Sequence, residues 1–150
     1  VIEPVLKIEI LPGNEDLSLP AYATDGAAGL DLRAALTEPF TLKPGERGVI
    51  STGLKMAVPA GYEGCVRPRS GLAMKHGLTL TNSPGTIDSD YRGEVKILMI
   101  NLGQEPVVLQ RGDRIAQLLI SPVAHAQVIT VESLDETARG GGGFGHTGVQ

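Results

Sequence analysis

Gly85-Thr86-Ile87-Asp88-Ser89-Asp90-Tyr91-Arg92-Gly93-Glu94-Val95 is the stretch on which the fold turns. Glycines bracket it at 85 and 93, and Pro84 stands before it. Between the glycines lie two aspartates, a tyrosine and an arginine, and an apolar run from Val95 to Ile100 follows. The pattern predicts a tight hairpin carrying polar groups on a rigid β support. A carboxylate held this way orients a water or takes a proton. An ordinary turn uses the same Asp, Ser and Gly, so the neighbouring segments decide between the two.

The run from Val95 to Ile100 is apolar on both faces in its second half, which predicts a strand covered on both sides, by a second sheet or by another subunit. Toward the N-terminus, Leu6, Ile8 and Ile10 alternate with Lys7 and Glu9, and Leu30 and Leu32 alternate with Asp31 and Arg33. This period of two marks strands with one buried face. Val49-Ile50, then Leu54, Met56 and Val58, then Tyr62 to Arg67 read as further strands, separated by Pro/Gly turn signals. Leu78 to Leu80, Val107 to Leu109, Ile115 to Ile120 and Val123 to Val131 complete the set. Ser70 to His76 alone looks helical, with Ser70 as its N-cap and Gly77 as its stop. Twenty glycines and ten prolines leave little room for longer helices. The expected fold is all-β, a jelly-roll-like sandwich or barrel with one short helix.

With 150 residues, 41% of them hydrophobic and 20% charged, the chain fits one domain with its own core. No apolar run approaches the ~20 residues that span a bilayer, so no membrane partner is expected. Val1-Ile2-Glu3-Pro4 lacks the pattern of a secretory signal, and Cys65 is the single cysteine; both predict a reducing, cytoplasmic setting. A net charge of −4 argues against a nucleic-acid surface. It leaves room for a small anion wherever arginines gather. Aromatics make up only 3%, and Tyr91 and Phe144 fall in glycine-flanked segments outside any core.

Three further segments carry chemistry. Arg67-Pro68-Arg69-Ser70-Gly71 puts two arginines and a hydroxyl at a helix start, where free N–H groups suit phosphate. The plain alternative is a capped helix with solvated arginines. Arg111-Gly112-Asp113-Arg114-Ile115-Ala116-Gln117 offers Arg114 and Gln117 to an anion, or is simply a hairpin with an ion pair. The last segment, Arg139 to Gly148, contains a four-glycine run followed by Phe144, His146 and Thr147. Ordering ten such residues costs ~10–20 kcal/mol, which nothing in the segment repays, so it is expected to be mobile until a ligand binds. Its N–H groups, arginine and hydroxyl suit phosphates, and its phenylalanine suits a base. His76, His125 and His146 show no metal-ligand spacing. Thr24-Asp25-Gly26 carries the residues of an aspartic-protease motif in the wrong order.

Five motifs together resemble the trimeric dUTP pyrophosphatases (deoxyuridine triphosphate nucleotidohydrolases), in order along nearly the whole chain. They are Ala28 to Ala34, Arg67 to Ala73, Gly85 to Val95, Gly112 to Leu118 and Arg139 to Gly148. The resemblance implies a homotrimer with sites at subunit interfaces. It also implies Mg²⁺-dependent hydrolysis of dUTP to dUMP and pyrophosphate, which keeps uracil out of DNA and supplies dUMP for thymidylate synthesis. It implies that Asp88 activates the attacking water and that Tyr91 packs on the deoxyribose. Asn82, main chain from Thr86 through Ile87 to Asp88, and main chain near Lys96 would line the uracil pocket. Arg69, Ser70, Gly71 and Gln117 would hold phosphates. Asp31 would support the water shell of a metal that no residue ligates directly. Residues 1–138 would form the β domain, and 139–150 a closing arm carrying Arg139, Phe144, His146 and Thr147. Many relatives have serine where His146 stands. An aspartate is a weak base at neutral pH, so the rate would come mainly from positioning and charge neutralisation. The nearest alternative, a dCTP deaminase of the same fold, would carry a glutamate proton shuttle in the hairpin, where this chain has the Asp88 and Tyr91 pattern. A non-catalytic jelly-roll binding protein would not need Asp88, Arg69 and the Phe144 tail together.

Overall fold

Ten strands and one helix occur among residues 3–146, the residues described by the computed structural model. The readings of Val1-Ile2 and of Thr147 to Gln150 lie outside them. Two four-stranded antiparallel sheets form the body of the protein. The first has the order β1 (Lys7–Ile10), β4 (Arg47–Ala57), β8 (Glu94–Asn101), β6 (Leu78–Leu80). The second has the order β2 (Leu30–Arg33), β10 (Arg114–Pro122), β5 (Tyr62–Arg67), β7 (Gly85–Ile87). A third pair, β3 (Phe40–Leu42) with β9 (Val107–Leu109), completes a β sandwich of the jelly-roll kind. The β3 strand escapes sequence reading because Phe40-Thr41-Leu42 is too short to show a period.

The core is aliphatic, as a chain with five aromatics requires. Leu32, Leu42, Ile50, Leu78, Ile97, Ile115 and Leu118 are fully buried between the sheets. Each contributes about 1.5–3 kcal/mol. Residues 47–57, legible as two short strands, form one long strand interrupted by a bulge between Ser51 and Lys55. Gly53 sits in that bulge at φ 68°, and a Cβ there would meet the Asn14 side chain.

Four expectations are corrected. Gly85 to Val95 is not a hairpin: β7 pairs with β5, whereas β8 pairs with β4 and β6. The segment crosses from one sheet to the other, because each strand already has its partners elsewhere. Along β8, Val95, Ile97, Met99 and Asn101 are buried, but Leu98 and Ile100 are only half-buried, so within one chain the second sheet covers one face only; this corrects the second-sheet half of that expectation and does not bear on cover by another subunit. Val123 to Val131 forms no strand, and its residues are exposed. Their local β propensity meets no partner strand beyond the Pro122–Tyr62 pair that closes β10. The N-cap of α1 (Ser70–His76) is Arg69, in extended conformation and without a side-chain cap bond; Ser70 is the first helical residue. The Arg69 side chain is drawn instead to Asp31. Gly77 does end the helix, in the left-handed region at φ 68°.

Two polar devices fix the connections. Arg111 donates to Asp16 (2.6 and 3.0 Å) and to the carbonyls of Gly13 and Leu36, pinning the loop after β1. The hydrogen bond from Arg111 holds the Asp16 carboxyl below its ordinary value, so whatever this exposed pair contributes is lost as pH falls through that lowered value. No helix among the described residues is long and apolar enough to cross a membrane.

Asn101 is fully buried and fully bonded. Its Nδ2 donates to the carbonyls of Leu42 (2.9 Å) and Glu105 (2.8 Å), and its Oδ1 accepts from the Gly103 N–H (2.8 Å). Asn101→Ala removes all three bonds and leaves the buried Leu42 carbonyl without its donor. Denaturant unfolding is expected to show a loss of about 3 kcal/mol; a loss below about 1 kcal/mol would show that water replaces the side chain.

Candidate active site

The crossing from β7 to β8 encloses a cavity of about 360 Å³. It brings together Asn82, Thr86, Ile87, Asp88, Tyr91 and Lys96, all six predicted for a base and sugar pocket. Apolar walls come from Val66, Leu80 and Ile97. Asp88 is the first residue past β7, exposed at the cavity, and takes part in none of the ion pairs among the described residues. Its carbonyl accepts from the Tyr91 N–H at 3.1 Å, forming the turn. Arg92 donates to the carbonyls of Ser89 (2.8 Å) and Tyr91 (2.7 Å), tying the turn from outside. The Tyr91 hydroxyl donates to the Glu94 carbonyl at 3.0 Å. A carboxylate and an aromatic face are thus held by backbone bonds, with the Asp88 charge left uncompensated by a cation.

Glu94 was not singled out from the sequence, yet it lines this cavity. Its Oε1 accepts from the Gly53 N–H at 3.1 Å, and its Oε2 lies 3.6 Å from the Lys96 ammonium. Only the pairing of β8 with the β4 bulge reveals this role. Among the five motifs, Glu94 looks like a strand's first residue.

A second cavity, of about 290 Å³, is lined by Asp31, Arg69, Ser70, Gly71, Arg114 and Gln117, together with the small residues Ala23, Ala27, Ala28 and Gly29. The register explains the meeting: Asp31 on β2 lies opposite Gln117 on β10, which lies opposite Arg67 at the end of β5. Asp31 bridges two guanidiniums, Arg69 Nε on one oxygen and Arg114 Nη1 on the other, each at 3.1 Å. Arg69 also donates to the Arg114 carbonyl at 3.1 Å. Gln117 donates to the Pro68 carbonyl at 2.9 Å. A Cβ on Gly29 would sit 2.7 Å from Gln117 Oε1, so this amide rests where only glycine fits. Two fixed cations around one carboxylate leave the cavity with a net positive charge, suited to a polyanion.

The two cavities share no lining residue. Within one chain, β7 and β2 are opposite edges of the second sheet. The structure therefore assembles the predicted residues into two groups and does not join them. Arg139, Phe144 and His146 belong to neither group. Arg139 donates to the Gly142 carbonyl at 2.7 Å, and Phe144 is fully exposed. Thr147 lies outside the described residues.

A family model described as dUTPase matches residues 15–148. The chain is 58% identical over 148 residues to a deoxyuridine 5'-triphosphate nucleotidohydrolase of Rhizobium etli, covering 97% of this chain and 95% of the relative. It is 63% identical over 132 residues to one from an Anaeromyxobacter species, covering 88% of each. Among solved structures, the Staphylococcus bacteriophage 80alpha dUTPase with dUPNHPP superposes with a TM-score of 0.86 at 28% identity, covering 97% of this chain and 99% of that one. A dUTPase of the S. aureus phage phi11, whose structure addresses coordination of a structural Mg(II) ion, superposes with a TM-score of 0.77 at 26% identity. It covers 86% of this chain and 97% of that one. With four of the five motifs gathered into an acidic cavity and a cationic one, and with matches over nearly its whole length, the chain belongs to the dUTPase family.

Proposed function

We propose that the protein hydrolyses dUTP to dUMP and pyrophosphate, and that it does so as a homotrimer. The observation that carries this reading is the separation of the two cavities. A nucleoside triphosphate needs a pocket for base and sugar and a cationic pocket for phosphates, and the chain owns one of each without a shared wall. Two copies placed with the first cavity of one facing the second cavity of the next would complete a site. A threefold ring repeats that heterologous contact and closes. The outer face of the first sheet supports such a contact, because Val49 is 60% exposed and Leu98 and Ile100 beside it are half-buried.

In this site Asn82 and the main chain from Thr86 to Asp88 would hold the uracil. Tyr91 would face the deoxyribose. Arg69, Ser70, Gly71 and Gln117 of the neighbouring copy would take the phosphates. Asp88, with no cation to neutralise it, would orient a water toward the α-phosphorus and draw off its proton as the phosphoanhydride bond breaks. An aspartate is a weak base at neutral pH, so most of the rate would come from holding the water and the phosphates in line.

Mg²⁺ fits the residues of the second cavity as a passenger of the triphosphate, not as an ion gripped by the chain. Asp31 is the one carboxylate among the described residues lining it, and both its oxygens are already paired with guanidiniums. Asp31 would accept from metal-bound waters, and the ion when bound would neutralise phosphate charge. Deamination is disfavoured by Glu94, the glutamate lining the first cavity, whose two oxygens are already engaged by Gly53 and Lys96.

Asp88→Asn keeps the side chain's shape and removes its charge. Turnover of dUTP is expected to fall at least ~100-fold, with nucleotide binding preserved. Near-normal release of pyrophosphate by the variant would remove Asp88 from the mechanism.

Residues 139–150 are read as an arm that closes on bound nucleotide. Phe144, exposed without a partner here, would stack on uracil for ~1–3 kcal/mol. Arg139 would pair with the terminal phosphate. Deleting 139–150 is expected to leave a folded trimer with little activity, and Phe144→Ala should lie between that and the intact chain. If the truncated protein works at close to the full rate, the segment is only a linker.

A further inference from the structure

We propose that Gly93 is a positioning residue for the first cavity: lacking a Cβ, it lets the Tyr91 ring lie against its backbone, and so sets how far that ring stands into the cavity. The inference rests on the reading that this cavity receives the nucleoside of dUTP.

A Cβ built on Gly93 would lie 2.6 Å from Tyr91 Cζ, 3.0 Å from Cε2, and closer still to the hydroxyl oxygen. One of the two must give way. The main chain around the ring is held: Tyr91 N–H bonds to the Asp88 carbonyl, and Arg92 bonds to the carbonyls of Ser89 and Tyr91. Among the described residues the ring makes one hydrogen bond, from its hydroxyl to the Glu94 carbonyl, and it belongs to a residue that is 44% exposed. It is therefore the ring that moves. Tyr91 lines the cavity and Gly93 does not, so a side chain at 93 would act on the cavity through the Tyr91 ring. A side chain at 93 displaces the ring from its place in the cavity lining, where the sugar would sit.

Backbone conformation does not explain this glycine. Gly93 is not among the residues in the left-handed region, so alanine is permitted at its φ. What alanine cannot do there is share space with the Tyr91 ring.

The test is a double-mutant cycle on the full chain with Gly93→Ala and Tyr91→Ala, read by steady-state turnover of dUTP and by calorimetric titration with dUMP. Gly93→Ala alone is expected to raise KM for dUTP and Kd for dUMP at least about tenfold, while kcat changes less than about threefold. In the Tyr91→Ala background, where no ring remains to be pushed, adding Gly93→Ala is expected to change Kd by less than about twofold. An unchanged Kd in the single variant overturns the proposal. So does a loss of affinity, or a drop in melting temperature, that persists undiminished in the Tyr91→Ala background, because that would mark Gly93 as a general requirement of the turn. An unaltered chain that neither turns over dUTP nor binds dUMP would instead remove the dUTPase reading, and this inference with it.

Discussion

The six residues from Asp88 to Gly93 have to leave one sheet and reach the other, because β7 is committed to β5 while β8 is held between β4 and β6. Everything at the first cavity follows from that crossing. A hairpin would have paired its own arms and closed over the space between them. A crossing instead separates the arms, opens a cavity between the β7 edge of one sheet and β8 of the other, and places Asp88 and Tyr91 in its lining. The turn is then fixed by backbone acceptors, which leaves the Asp88 carboxylate without a partner. Solvent exposure makes that unpaired aspartate cheap to keep, and it becomes useful only when something is placed against it.

The second cavity works by the opposite arrangement, with one carboxylate between two guanidiniums. Asp31, Arg69 and Arg114 are all partly exposed, so their ion pairs contribute little to stability. Their value is positional. Asp31 holds both arginines in place before an anion arrives, which lowers the cost of ordering them on binding. The geometry also explains why Ser70 does not cap the helix: the residue before it, Arg69, is recruited across the sheet to β2.

Much of this was legible from residues alone. Period-two alternation located most strands because the sheets bury one face each, and the five motifs named both groups of site residues. What escaped was whatever depends on pairing between distant strands. The crossing of Gly85 to Val95 looks like a hairpin because turn residues carry no record of which strand their arms will pair with. Glu94 acquires its backbone partner, Gly53, from the β4 bulge, forty-one residues away along the chain. Val123 to Val131 reads as a strand because propensity is local, whereas a strand needs a free edge to join. The Asp31 bridge joins residues on β2, β10 and the start of α1, which no local pattern connects.

The central claim is that catalysis needs the first cavity of one copy and the second cavity of another. Co-expressing an Asp88→Asn chain with an Arg69→Ala chain tests it directly, since each variant spoils a different cavity. If sites are shared between chains, some sites in the mixed assembly combine an intact Asp88 with an intact Arg69, and random assembly predicts about a quarter of the activity of the unaltered protein. If each chain uses its own two cavities, no intact site can form, and the mixture will be no more active than the two variants assayed apart.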